Sequence, residues 1–166
     1  QMPLADEQEG LPEFRRKTYI SAFGEGWALY CELLGEEMGM YETPYEKFGM
    51  LSYQMWRAAR LVVDTGIHAK GWSKEQAIAF MTDNSALSAA NIEAEVNRYI
   101  SWPGQALAYK LGELKIRELR ELASKELGSK FDLAAFHDTV LGQGSVPLNV
   151  LEDMVKDWIA AEKAKA

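Results

Sequence analysis

The sequence predicts an all-α protein, an irregular multi-helix bundle of about seven helices with little or no sheet. Three observations predict it. Apolar residues recur at helical rather than alternating spacing along almost the whole chain. No segment combines Val, Ile and Thr alternation with hairpin turn residues. Proline, glycine and short polar residues fall where helices of ordinary length start and stop.

The first helix is expected from about Glu13 to Met40, with its glycines as the point of bending. Pro44 fits the opening of the second, which runs to about Ala69 and closes on Lys70-Gly71. There a basic residue suits the negative end of the helix dipole and glycine suits the cap. Ser73 followed by Gln76 reads as a capping box for a third helix to about Thr82. The fourth covers about Leu87 to Ile100. The fifth restarts near Pro103 and runs from about Gly104 to Leu127, with Gly128 as its stop. Asp132 and Pro147 start the last two, and Glu162 to Ala166 is expected to fray. No fixed-period repeat or low-complexity linker interrupts the pattern, so residues 1–166 read as one domain.

At 166 residues, 48% hydrophobic and 26% charged, the chain can bury its own core. A formal net charge of -7 argues against nucleic acid or an anionic membrane as the main partner, since both require concentrated positive charge. No apolar run approaches the roughly 20 residues of a membrane span. The start, QMPLADEQEG, has neither Met at position 1 nor a signal-peptide core, so the chain reads as cut there and its compartment is left unassigned. The single Cys31 cannot form an internal disulfide, and His68 and His137 alone make no zinc-type cluster. Cys31 reads as a small apolar residue on a packed helix, and His137 as structural.

In FGEGWALYCELLGEE, about 100° per residue places Glu32 and Glu36 roughly 20° to either side of Glu25, so three carboxylates share a narrow stripe. Phe23, Trp27, Tyr30, Leu34 and Met38 follow the same period on a core-facing side. Two readings stand. The stripe is a solvated face, or Glu25 is presented to a ligand, because Gly24 and Gly26 each cost a helix interior about 1 kcal/mol and so point to the close approach of another backbone or a ligand.

A second polar stripe lies in MWRAARLVVDTGIH. Arg57, Asp64 and His68 fall within roughly 40° of one another on an otherwise apolar helix, with Arg60 about 60° from Arg57. It reads as an internal ion-pair network reaching Glu32 or Glu36, or as a substrate site. In the second reading Arg57 or Arg60 grips a carboxylate in bidentate fashion and His68 lies near the reacting group. In RYISWPGQALAY, Pro103 breaks the helix near Trp102 and frees the carbonyl of Tyr99. Gln105 and Tyr109, one turn apart, are placed to share a cavity and bind a peptide backbone.

The runs EGLPEFRR, EGWALYCE, WRAARLVVDTGIHAKGW, RYISWPGQALAYKLGELKIRELR and FDLAAFHDTVLGQGSVPLNVL resemble the bacterial family called domain of unknown function 885 over nearly the whole chain. That family is similar to the helical zinc peptidases, angiotensin-converting enzyme and the thermostable carboxypeptidases among them. The resemblance implies that Glu25 of EGWALY matches their downstream zinc-binding Glu, and that Tyr99 matches the tyrosine donating to the tetrahedral oxyanion. It also implies that a His-Glu motif ending in Gly-His-His-Leu-Gln lies just upstream, with Gln1 as its last residue. Both histidine ligands and the general-base Glu then lie outside this chain. One carboxylate cannot hold a catalytic zinc against water. Zinc is therefore expected in the intact protein and not tightly bound here.

The resemblance thus implies the C-terminal portion of a zinc-dependent peptidase of carboxypeptidase or dipeptidase type, acting on a peptide substrate and inactive alone. The contrasting reading is a non-catalytic helical module that binds a missing N-terminal half or another copy of itself.

Overall fold

The caps read from the sequence set most of the helix ends. The computed structural model describes residues 7, 8 and 10–165. Among them it has eight α-helices, two 3-10 turns and no strand. The helices are α1 (Glu13–Lys17), α2 (Ser21–Glu37), α3 (Pro44–Lys70), α4 (Lys74–Asn84), α5 (Ala89–Ser101), α6 (Ala108–Leu127), α7 (Leu133–Leu141) and α8 (Leu148–Ala164). The 3-10 turns span Gln105–Leu107 and Gly128–Lys130.

Thr43 and Glu46 form a reciprocal capping box ahead of Pro44, and Gly71, at φ 70°, closes α3 in the left-handed region. Ser73 and Gln76 exchange bonds of 3.2 and 2.9 Å at the start of α4. Asp132 accepts the Ala135 N–H at 2.9 Å. The last helix continues to Ala164, into the stretch expected to fray. Gln1, read as the end of an upstream motif, and Ala166 lie outside the described residues.

The first helix differs from expectation. It breaks over Thr18–Ile20 and not at its glycines. Thr18 is extended, with φ -72° and ψ 131°, and its hydroxyl donates to the Phe14 carbonyl at 2.6 Å. The Ile20 N–H donates to Ser145 Oγ at 2.8 Å, so a side chain replaces the helical partner. Gly24 and Gly26 lie inside α2. That helix stops at Glu37, where Gly39 at φ 71° turns the chain, so Met38 lies beyond the helix and is exposed rather than core.

The described chain forms two compact units, one of residues up to 27 and from 112 onward, the other of residues 28–111. In the first, Phe23, Ile116, Leu119, Phe136, Val140, Leu151 and Val155 are fully buried. Gly26 and Gly112 bring α2 and α6 into backbone contact. A Cβ on Gly26 would lie 2.4 Å from the Gly112 Cα, and one on Gly112 would lie 1.8 Å from the Ala22 carbonyl oxygen. In the second unit, Ala59, Val63, Ala77, Met81, Ile92, Val96, Tyr99 and Ala106 form the core, flanked by Trp56, Trp72 and Phe80. Each large aliphatic side chain among them contributes roughly 1.5–3 kcal/mol by leaving water.

Candidate functional site

The polar stripe of α3 and the broken helix carrying RYISWPGQALAY meet inside the second unit. The break follows from Pro103. Helix α5 ends at Ser101, Trp102 leaves the helical region at φ -136°, and Gly104 turns at φ 82°. Three polar residues of the stripe, Arg60, Asp64 and His68, then find partners on α5 or on the turn, and Arg57 does not. Asp64, buried, accepts the Gly104 N–H at 3.0 Å. His68 Nε2 lies 2.9 Å from the Tyr99 carbonyl, and because a carbonyl only accepts, this nitrogen carries the proton.

Arg60, 2% exposed, donates from Nε to the Tyr99 hydroxyl at 2.9 Å and from Nη2 to Glu95 Oε2 at 2.8 Å. Trp56 Nε1 donates to the same hydroxyl at 2.9 Å. Glu95 also holds Arg98 at 3.2 Å, and Arg98 reaches Gln105 Oε1 at 2.9 Å. Burial pushes the Tyr99 phenol above its ordinary value, with Arg60 and Trp56 pulling the other way, so it stays protonated at neutral pH. The ion pair expected with Glu32 or Glu36 is therefore made with Glu95, one turn before Tyr99 on the same face of α5. Glu36 instead pairs with Lys47.

Arg57 differs from Arg60. Its guanidinium lies 4.9, 4.7 and 5.8 Å from the ring centres of Tyr53, Trp56 and Tyr109. No carboxylate pairs with it among the described residues, and its buried Nε has no hydrogen-bond partner. Its nearest acceptor, the Tyr53 carbonyl, is 3.5 Å away. Burial lowers its pKa and Glu32 opposes that shift, yet an arginine stays charged. Tyr109 also stacks on Arg60, at 4.8 Å. The result is a cation walled by aromatic rings whose faces attract it by roughly 0.5–2 kcal/mol each.

Close in sequence to this cluster, Glu32, Met40, Tyr41, Glu46, Met50 and Tyr53 line a cavity of about 510 Å³. Tyr41 donates to the Glu32 carbonyl at 2.8 Å, and Gln54 Nε2 approaches the Glu32 carboxylate at 3.5 Å. Burial raises the Glu32 pKa, with Arg57, Gln54 and Lys110 opposing.

Glu25 belongs to the first unit, half-buried on α2. The glycines beside it are explained by packing. The Tyr19 ring covers Gly24, and Gly112 meets Gly26. Glu25 makes no hydrogen bond or ion pair among the described residues. No group of three His, Cys, Asp or Glu that could hold a metal occurs among the described residues. His137 meets Trp27 edge to face at 5.3 Å, and Cys31 is half-buried, its thiol pKa raised by that burial.

Of the residues singled out from the sequence, Tyr99, Arg57, Arg60, His68, Gln105 and Tyr109 lie in the second unit and Glu25 in the first. Tyr99 contacts both Arg60 and His68 directly, and Tyr109 faces both arginines. Glu95 and Trp56 went unrecognised. Their signal was positional, since Glu95 lies one turn before Tyr99 and Trp56 one turn before Arg60.

No curated protein matches the chain. Two solved structures are similar to it. One, described as "the putative lipoprotein from Colwellia psychrerythraea", is 49% identical over 97% of this chain with a TM-score of 0.94. The other, "a putative lipoprotein of unknown function from Shewanella oneidensis", is 28% identical over 93% with a TM-score of 0.83. The chain spans 28% of the length of each. No helix among the described residues is long and apolar enough to cross a membrane. A match to the family described as "Bacterial protein of unknown function (DUF885)" extends over residues 1–155, and the chain belongs to that family.

Proposed function

We propose that this chain is the C-terminal portion of a zinc-dependent peptidase-like hydrolase, and that its second unit binds the carboxylate end of a short peptide. The observation that carries the reading is Arg57, a half-buried guanidinium walled by three aromatic rings with no carboxylate partner among the described residues, beside an Arg60 committed to Glu95 and Tyr99. A planar cation so placed offers its fork to a carboxylate in two parallel hydrogen bonds. Gln105, with Oε1 held by Arg98, keeps its amide N–H groups for a peptide carbonyl, and Tyr109 forms the wall. Tyr99, fully buried, keeps its proton while accepting from Arg60 and Trp56 and so positions the Arg60 guanidinium, and His68 fixes the carbonyl behind it.

The described residues do not by themselves fit a zinc ion, because Glu25 supplies one carboxylate and a catalytic zinc needs three protein ligands. In this reading the other ligands belong to an upstream His-Glu segment, and Glu25 completes the set. The test is metal content and hydrolysis of short peptides by a form extended upstream through that segment. Zinc binding that falls with Glu25→Ala, with peptides of free C terminus preferred over their amides, is the expected result. Zinc and cleavage indifferent to Glu25→Ala would remove Glu25 from the site, and amides cleaved equally well would remove Arg57.

A second reading, a helical module that binds further polypeptide or a second copy of itself, is favoured by the large apolar residues α3 leaves in solvent.

A further inference from the structure

Helix α3 is amphipathic in the reverse sense. Its buried side carries Gln54, Arg60 and Asp64, together with an apolar strip through Ala59 and Val63. Its outward side carries Phe48, Leu51, Met55 and Val62, which are 63%, 51%, 50% and 40% exposed. At about 100° per residue these four fall within roughly 60° of one another, and roughly 160° from the polar stripe. Pro44, Ala58 and Ala69 fall in the same sector, so no charge interrupts it over the length of the helix. A helix facing water alone places its charges outward and its aliphatics inward. Here the polar side is spent on the Tyr99–Gly104 seam, Ala59, Val63 and Gly66 are covered, and Phe48, Leu51, Met55 and Val62 are left exposed among the described residues.

We infer that the outward face of α3 is an interface core, and that its occupant is additional polypeptide of the kind the longer family members carry in the same chain. Two quantities favour that occupant over a second copy. In both solved relatives the shared fold makes up 28% of the chain, so most of their polypeptide is left to pack on it. The stripe from Phe48 to Val62 is also small, roughly 21 Å long and about 10 Å wide, where a stable dimer covers about 800 Å² on each partner. A strip of that size is what one helix presents to another within a chain. The inference rests on that part of the preceding reading which completes this chain with further polypeptide, and not on the zinc chemistry.

Thiol labelling tests it. Phe48→Cys, Met55→Cys and Val62→Cys are made singly in a Cys31→Ser background, and the matching positions are changed in the intact Colwellia protein, with circular dichroism confirming each fold. Hydroxyl-radical footprinting of the same positions in the unaltered proteins gives the comparison without substitution. The expected result is rapid labelling in this chain and labelling at least about tenfold slower in the longer protein, at every protein concentration. Equal rates in the two proteins would overturn the inference. Protection in this chain that grows with its concentration would overturn it in favour of a second copy. Labelling needs no metal and no substrate, so failure of the peptidase reading leaves this outcome unaffected, and the converse also holds.

Discussion

The α2–α6 contact in the first unit and the α3–α5 seam in the second solve opposite problems. At Gly26 and Gly112 two backbones touch, and nothing polar of a side chain is needed between them. At the seam, Arg60 and Asp64 enter the interior and must find partners, which Glu95, Tyr99 and the Gly104 N–H provide, while His68 at the exposed end of the helix takes up the Tyr99 carbonyl. A backbone-on-backbone contact leaves no room for a ligand. A polar seam organised around a broken helix ends at Arg57, with which no carboxylate pairs among the described residues. The contrast separates glycines that pack from polar residues that need partners even though both are conspicuous in the sequence.

Four substitutions break or sharpen that contrast, in descending order of effect. Arg60→Met should cost about 3–5 kcal/mol in urea unfolding, because it strands the buried Glu95 and the Tyr99 hydroxyl. A loss below about 1 kcal/mol would mean that the seam is solvated. Gly112→Ala should cost about 3 kcal/mol, since its Cβ meets a backbone carbonyl that can move only with its helix. A neutral result there would show that α2 and α6 stand further apart. Asp64→Ala should cost about 2 kcal/mol by leaving the Gly104 N–H unpaired, and amide exchange at Gly104 should quicken with it.

The smallest effect belongs to Glu32. Its folded pKa is raised above the ordinary 4.5, so the folded state binds its proton more tightly than the unfolded state does. The stability this confers is complete below pH 4.5 and is lost as pH rises through the folded pKa. Glu32→Gln should therefore match the parent chain in acid and exceed it at neutral pH. The margin should be under about 1 kcal/mol, since solvent screens a half-exposed carboxylate. Parallel stability curves from acid to neutral pH would contradict the shift.

Helix ends were legible because they depend on residues within one turn: Pro44, the Ser73–Gln76 box, Gly71 and Asp132 all stand at helix ends as their sequence implies, and the Thr43–Glu46 box ahead of Pro44 went unread. The break at Thr18–Ile20 was not, because it depends on Ser145, far away in the chain. The same distinction runs through the site. Pro103 announces a freed carbonyl at Tyr99, but that His68 takes it up is tertiary information. Gly24 and Gly26 correctly signal a close approach. Only the fold identifies the approaching groups as Tyr19 and Gly112.

The central claim is that Arg57 is held for a carboxylate, and calorimetric titration of the chain with N-acetyl-phenylalanine and with its amide tests it most directly. The account predicts that the acid binds at least about tenfold more tightly than the amide, about 1.4 kcal/mol, and that Arg57→Met abolishes the difference. Equal binding of acid and amide by the unaltered chain, or a preference that survives Arg57→Met, would contradict it.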